Sequence, residues 1–182
     1  MSTSWQRGER KYLPEFVYGG IDGAVTTFAV VAGSMGASLS STIILILGFA
    51  NLIADGFSMA VSNYLSTKSQ QDLHRHDAET KFFKKEAKHP FKTAIATFFS
   101  FIIIGIIPLL SFVCAVFLPT LITLQFTLSF LLTGVALIIV GAVKGTIVKK
   151  HPFHSSLETL FIGGVAALLA YVVGAGVKAI IN

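Results

Sequence analysis

The chain has 182 residues, of which 53% are hydrophobic and 13% charged, and its mean hydropathy is +0.75. Soluble domains usually carry about 25% charged residues, so this composition excludes most soluble classes and intrinsic disorder. The single cysteine, Cys114, excludes an internal disulfide and any metal centre built on paired cysteines. We therefore expect an all-α integral membrane protein.

Five apolar segments are long enough to cross a bilayer as helices, because one crossing takes about 20 mostly apolar residues. They cover approximately residues 16–39, 42–65, 94–118, 120–143 and 157–181. The third and fourth segments meet at Pro119, which predicts a tight turn between them. The first segment is longer than the apolar part of a signal peptide and contains Asp22, so we expect the chain to keep it as a span.

Lysine and arginine residues are concentrated in alternate connections. Three precede the first span, seven lie between spans two and three, three lie between spans four and five, and Lys178 is near the C-terminus. Because Lys and Arg are enriched in cytoplasmic loops, we expect the N-terminus in the cytoplasm and the C-terminus on the opposite side. The pI near 9.4 is then a consequence of topology, and nucleic acid is not needed as a partner.

We expect residues 1–182 to form a single five-helix transmembrane domain, surrounded by membrane lipid, with a short cytoplasmic connection at about 66–92. The second helix is expected to continue into this connection, which turns at Pro90. The polar residues available there include Asp72, His74, His76, Asp77, Glu79 and His89. At helical spacing the two histidines at 74 and 76 point about 200° apart, which favours a solvated helix over a metal site but leaves both open.

Two acidic residues lie inside predicted spans, Asp22 in the first and Asp55 in the second. An ionisable side chain in a span costs roughly 2.5–3.5 kcal/mol on insertion scales, and such residues usually mark function. At about 100° per residue, Glu15 lies within about 20° of Asp22 around the first helix. The first span therefore carries a polar stripe.

The second span carries a polar stripe of its own. Asn51, Asp55, Ser58 and Ser62 lie within about 60° of one another around the helix, and Met59 lies about 40° further round. Two polar stripes on apolar helices are costly to expose to lipid. We expect them to face each other or a water-filled path.

The two stripes together present Asp22, Asp55, Met59, Asn51 and Glu15 as candidate metal ligands. Carboxylate and amide oxygens suit divalent cations, and a thioether adds a soft ligand that Mg²⁺ and Ca²⁺ do not favour, so the set suits Fe²⁺ or Mn²⁺. A dry site disfavours charged carboxylates, and an arriving metal displaces their protons, so exchange of metal for protons is chemically available. We expect the metal to be a transported ion and no cofactor to be tightly bound.

Structural alternatives remain open for these residues. Asp22 and Asp55 can hold helices together by hydrogen bonds, and methionine often fills gaps in packing. The chain would then be a membrane component that transports nothing. Another alternative keeps transport but changes the cargo to another small cation or an organic amine. An enzyme is not favoured, because the sequence contains no nucleotide-binding loop, Ser/His/Asp set or HExxH motif.

Other residues are expected to serve the fold. Three glycines between residues 19 and 23 are typical of close helix packing. Glu158 lies at the edge of the last span, where we expect a structural role with a serine at 155 or 156 as the helix cap.

Three segments of the chain resemble the vacuolar iron transporter family. Residues 14–33, PEFVYGGIDGAVTTFAVVAG, resemble the first helix of that family, and residues 54–70, ADGFSMAVSNYLSTKSQ, resemble its second. Residues 141–176, from GAVKGTIVKKHPF to AYVVGAG, are similar to its C-terminal part. Together these segments cover well over half of the chain in the right order.

The resemblance implies five transmembrane helices and a homodimer whose ion path is lined by the first helices. It implies proton-coupled export of Fe²⁺, and often Mn²⁺, from the cytoplasm. It also implies that Asp22 is the mid-membrane aspartate of the family, that Glu15 is a second acid on the path, and that Met59 is the pore methionine.

The chain departs from the family pattern in two places. About 25 residues stand where many members insert a glutamate-rich cytoplasmic domain, so metal capture by that domain should be absent or reduced. Asn51 stands where some members carry an acid, and Asp55 supplies an acid one turn later. No organellar signal is legible, so we expect a prokaryotic plasma membrane, or a vacuolar or organellar membrane if the chain is eukaryotic.

Overall fold

A computed structural model describes residues 4–76 and 88–181, with side chains from 11 to 73 and from 88 to 181. In order, the helices are α1 (Ser4–Gly36), α2 (Ser41–His76), α3 (Pro90–Gly105), α4 (Ile107–Phe117), α5 (Gln125–Ile147) and α6 (Pro152–Ile181). Helices α1, α2, α5 and α6 are each long and apolar enough to cross a membrane, and the bent pair of α3 and α4 counts as a fifth if it is one span. The protein is therefore an all-α integral membrane protein, as the composition predicts.

The third span is bent where the hydropathy pattern predicts one continuous helix. Helices α3 and α4 meet at an angle of 47° on either side of Ile106. Pro108 has no N–H to donate to the carbonyl of Ile104, so the helical hydrogen bonding fails at this point. The carbonyl of Pro108 accepts a hydrogen bond from Ser129 Oγ of α5 at 2.6 Å, which holds the bend against its neighbour.

The turn predicted at Pro119 is present as a short 3₁₀ turn, Pro119–Leu121, and α5 begins only at Gln125. The second helix extends beyond the apolar segment to His76, as predicted. Residues 77–87 of the predicted connection, including Asp77 and Glu79, lie outside the described residues, as do the side chains at 74 and 76.

Contacts between distant residues show which helix ends meet. The backbone N–H of His89 donates to the Tyr12 hydroxyl at 3.1 Å, which ties the start of α3 to the start of α1. At the opposite end of the bundle, Lys178 Nζ donates to Ser38 Oγ at 2.8 Å, which ties the end of α6 to the connection after α1. The start of α1 and the end of α6 therefore lie at opposite ends, as expected for five crossings.

Helix α1 is the central element, since it contacts every other helix. Two glycines allow α3 to approach it closely. A Cβ at Gly19 would lie 2.6 Å from the carbonyl oxygen of Thr97, and a Cβ at Gly23 would collide with the carbonyl oxygen of Phe101. The predicted role of these glycines in close packing is confirmed.

The predicted serine cap near Glu158 is wrong, because α6 begins earlier, at Pro152. Ser156 Oγ donates instead to the carbonyl of Ile138 on α5 at 2.8 Å. Glu158 accepts a hydrogen bond from Lys144 Nζ at 3.2 Å, so it joins the end of α5 to the start of α6. This contact agrees with a structural role for the glutamate.

Candidate metal site between the first two helices

An open cleft of about 510 Å³ lies between α1 and α2. Both polar stripes contribute to it, with Glu15 from α1 and Met59 from α2 facing the same space. The lining residues are Pro14, Glu15, Tyr18, Ser58, Met59, Ser62, Asn63 and Ser66. The cleft therefore offers a carboxylate, a thioether, an amide and several hydroxyls to one ligand.

The two mid-span aspartates lie further into the bundle than the cleft. Asp22 is seven residues beyond Glu15, about 10 Å along α1, and Asp55 is four residues before Met59, about 6 Å along α2. Because the two helices run antiparallel, both displacements point the same way. Both aspartates are half-buried, and both lie further into the bundle than the cleft residues of their own helix. A carboxyl in a low-dielectric setting favours a bound proton or cation.

Asn51 lies one further turn from Asp55 along α2, away from the cleft. Its amide nitrogen is buried and has no hydrogen-bond partner among the described residues. An unsatisfied buried polar group of this kind costs about 1–3 kcal/mol, so an acceptor from water or from a second chain is expected there. Asp22, Asp55 and Asn51 do not line the cleft itself.

The two carboxylate oxygens of Glu15 have different surroundings. Oε1 accepts a hydrogen bond from Lys88 Nζ at 2.6 Å, whereas Oε2 is buried and has no partner among the described residues. The side chain is 11% exposed, so this carboxylate is mostly removed from bulk water. One oxygen of Glu15 is therefore engaged and the other is available.

A third polar row, on α3, was not predicted from the sequence. Thr93, Thr97 and Ser100 are fully buried there. Asn63 Nδ2, from the cleft wall, donates to Thr97 Oγ1 at 2.5 Å, and the hydroxyls of Thr67 and Thr93 are 3.2 Å apart. Helix α3 thus fixes the orientation of the cleft amide. The signal was the spacing of the three hydroxyl residues, which places them on one helical face in an apolar span.

Among the side chains that the structure describes, at 11–73 and 88–181, no three His, Cys, Asp or Glu side chains come together as a metal-binding group. The acidic residues instead lie at two depths in the bundle. Glu15 lines the cleft, and Asp22 and Asp55 lie further in. Full coordination at either level needs the thioether, hydroxyls, water or a second chain.

Comparisons with known proteins match almost the whole chain. The model of the VIT family matches residues 13–84 and 77–175, which include all five candidate ligands. The vacuolar iron transporter of Toxoplasma gondii (strain ATCC 50861 / VEG) is 27% identical, covering 94% of this chain and 76% of the relative. Vacuolar iron transporter 1 of Eucalyptus grandis is 25% identical, covering 86% and 83%. Vacuolar iron transporter homolog 4 of Arabidopsis thaliana is 30% identical, covering 87% and 79%.

The alignments with these relatives differ in length. The Toxoplasma alignment extends over 229 positions, more than the 182 residues of this chain, so that relative has residues with no counterpart here. The Arabidopsis alignment extends over 164 positions. In length this chain is therefore more similar to the Arabidopsis relative than to the Toxoplasma relative.

Proposed function

Since the chain belongs to the VIT family, we propose that it is a proton-coupled metal transporter that exports Fe²⁺ or Mn²⁺ from the cytoplasm. The observation that carries the proposal is the placement of Asp22 and Asp55. They are two half-buried carboxyls inside two spans, both further into the bundle than a cleft that holds Glu15 and Met59.

The order of ligands along the helices suggests a path for the ion. A divalent cation enters the cleft, where Glu15 supplies charge and Met59 supplies a soft donor that favours Fe²⁺ or Mn²⁺ over Mg²⁺. It then passes to Asp22 and Asp55, with Asn51 one turn further along α2. Because metal ligands must lose their protons, binding at the aspartate pair releases protons, and reprotonation of the pair drives the ion off.

The hydrogen bonding of Asp22 and Asp55 argues against the alternative in which these residues only hold helices together. Where polar side chains join helices in this protein, they are hydrogen-bonded, either to another side chain, as Asn63 is to Thr97, or to a backbone carbonyl, as Ser156 is to Ile138. Among the described residues, no hydrogen bond joins the side chain of Asp22 or Asp55 to another group. Residues that only held helices together would be bonded in this way, because an unpaired polar group in a span is costly.

We further propose that residues 1–182 work as one five-helix domain in a homodimer, whose second copy completes the coordination of the ion. The cleft opens at the bundle end formed by the starts of α1 and α3. That end carries Lys88 and Lys92, so by the positive-inside rule it faces the cytoplasm. The proposed location is a prokaryotic plasma membrane, or a vacuolar or organellar membrane in a eukaryote.

Metal entry into proteoliposomes tests the transport proposal. We expect the purified protein to carry both Fe²⁺ and Mn²⁺, the former under anaerobic reducing conditions, with little competition from excess Mg²⁺ or Ca²⁺. Liposomes without protein provide the background. Absence of flux for both metals, from protein shown to be folded and dimeric, would overturn the proposal in favour of another cargo or of a membrane component that transports nothing.

Met59→Leu is expected to reduce the preference for Fe²⁺ over Mg²⁺ while preserving the fold, because leucine keeps the volume but removes the thioether ligand. The expected loss of selectivity is about tenfold, at the lower end of what perturbing a metal site costs. Competition between the two metals in the liposome assay measures it. Met35→Leu is the matched control, since Met35 is 41% exposed near the far end of α1. Equal selectivity in both variants would exclude Met59 as a ligand.

A further inference from the structure

Lys88 lies at the mouth of the cleft and is held there by its backbone as well as by its side chain. Gln71 Nε2 from α2 donates to the carbonyl of Lys88 at 2.5 Å. The next residue, His89, donates its N–H to the hydroxyl of Tyr12 on α1 at 3.1 Å. The backbone at Lys88 is therefore fixed by both helices that form the cleft, which places its ammonium group against α1.

The ammonium of Lys88 binds the carboxylate of Glu15, which is a metal ligand in the proposed function. Its Nζ is 2.6 Å from Glu15 Oε1, and this oxygen belongs to the only acidic side chain among the described residues of the cleft wall. Oε2 of the same carboxylate has no partner among the described residues. A divalent ion that approaches Glu15 from the cleft therefore meets a carboxylate whose charge is already balanced.

The position of Lys88 allows it to be displaced. Its side chain is 36% exposed, so the ammonium can return to water when it leaves Glu15. A lysine binds as a compact single charge on a flexible stem, whereas a divalent ion brings twice the charge and can take both carboxylate oxygens. A divalent ion can thus displace the ammonium, while a monovalent ion has no such advantage.

We propose that Lys88 is an internal counter-cation that competes with the transported metal for Glu15 and so sets the metal affinity of the cleft. This inference rests on the proposed function. Lys88 leaves Glu15 when metal enters the cleft and returns once the metal has moved on to Asp22 and Asp55. Its return weakens rebinding at the mouth and discriminates against monovalent cations.

Removal of the Lys88 charge is expected to tighten metal binding. We expect Lys88→Met to lower the Kd for Mn²⁺ about three- to tenfold, which corresponds to one partly exposed ion pair. Lys88→Arg keeps the charge and should stay within about twofold of wild type. Binding is measured on the full chain in detergent at fixed pH, from the electron paramagnetic resonance signal of free Mn²⁺. Lys92→Met, an exposed lysine at the start of α3, is the matched control and should not change the Kd.

A double-mutant cycle with Glu15 separates competition from a general charge effect. In the Glu15→Gln background the effect of Lys88→Met should disappear, because the shared carboxylate is gone. Lys88→Gln repeats the comparison if the methionine variant does not remain monodisperse. An unchanged or weaker affinity in Lys88→Met, or the same gain in the Glu15→Gln background, would overturn the inference.

The same series separates failure of this inference from failure of the proposed function. If Glu15→Gln weakens Mn²⁺ binding but Lys88→Met has no effect, the metal site stands and only the role of Lys88 is overturned. If wild type shows no saturable Mn²⁺ binding, both the proposed function and this inference are overturned.

Discussion

Asp22→Asn is expected to abolish metal transport while the helical bundle stays folded. The substitution keeps the size and shape of the side chain but removes its negative charge and its exchangeable proton. Perturbing even the outer partners of metal ligands costs about 10–100-fold in affinity or activity, so loss of a ligand carboxylate should lower the flux about 100-fold or more. In the proposed site, Asp55 is then the one mid-span carboxylate left to bind the ion.

Initial rates of Mn²⁺ entry into proteoliposomes measure this effect, with the amount of inserted protein matched between variants. Asp72→Asn is the control, because Asp72 is exposed on α2 well beyond the cleft. We expect wild-type flux for that variant. Normal flux in Asp22→Asn would exclude Asp22 as a ligand and as the coupling group. Loss of flux together with loss of the folded protein would instead favour a structural role.

Gly23→Val is expected to destabilise the bundle at its centre. A Cβ at position 23 collides with the carbonyl oxygen of Phe101, and a Cβ at Gly105 would come within 2.9 Å of the carbonyl oxygen of Gly23. Backbones in such contact cannot move apart as a flexible side chain can. Overpacking in a core costs about 1–3 kcal/mol, and we expect a value at or above the upper end because α1 contacts every other helix.

Thermal unfolding in detergent, followed by size-exclusion chromatography after heating, measures this loss of stability. Gly164→Val is the matched control, since a Cβ at that position of α6 meets no atom within 4 Å. We expect the control to stay within about 0.5 kcal/mol of wild type, as surface substitutions usually do. Equal Tm values for the two variants would show that α1 and α3 do not need the glycine contact.

Hydropathy and helical periodicity were sufficient to predict the span architecture and the faces that carry polar residues. Both predictions use only local sequence. The length of an apolar segment shows whether a helix can cross the membrane, and residues three or four positions apart lie on the same face of a helix. The glycines facing α3 followed in the same way. The prediction that Glu15 shares a face of the first helix with Asp22, and that Met59 lies near the stripe of Asp55 on the second, therefore needed no tertiary information.

The remaining features depend on contacts between residues that are distant in sequence. The ion pair of Glu15 and Lys88 joins residues 73 positions apart. Nothing in the local sequence distinguishes Lys88 from the other lysines of its segment. The bonding of Asn63 to Thr97 likewise depends on how α2 packs on α3. Pro108 is a sequence signal for the bend at Ile106. Hydropathy does not detect the bend, because it is averaged over the whole apolar segment.

Accumulation of Mn²⁺ driven by a proton gradient is the most direct test of proton-coupled metal transport. Proteoliposomes with an acidic interior are placed in neutral buffer with equal Mn²⁺ on both sides, and the membrane potential is clamped with potassium and valinomycin. We predict that Mn²⁺ accumulates inside above its external concentration while internal pH rises, and that a protonophore abolishes the accumulation. Mn²⁺ that remains at equal concentration on both sides in spite of the pH gradient would contradict proton-coupled transport.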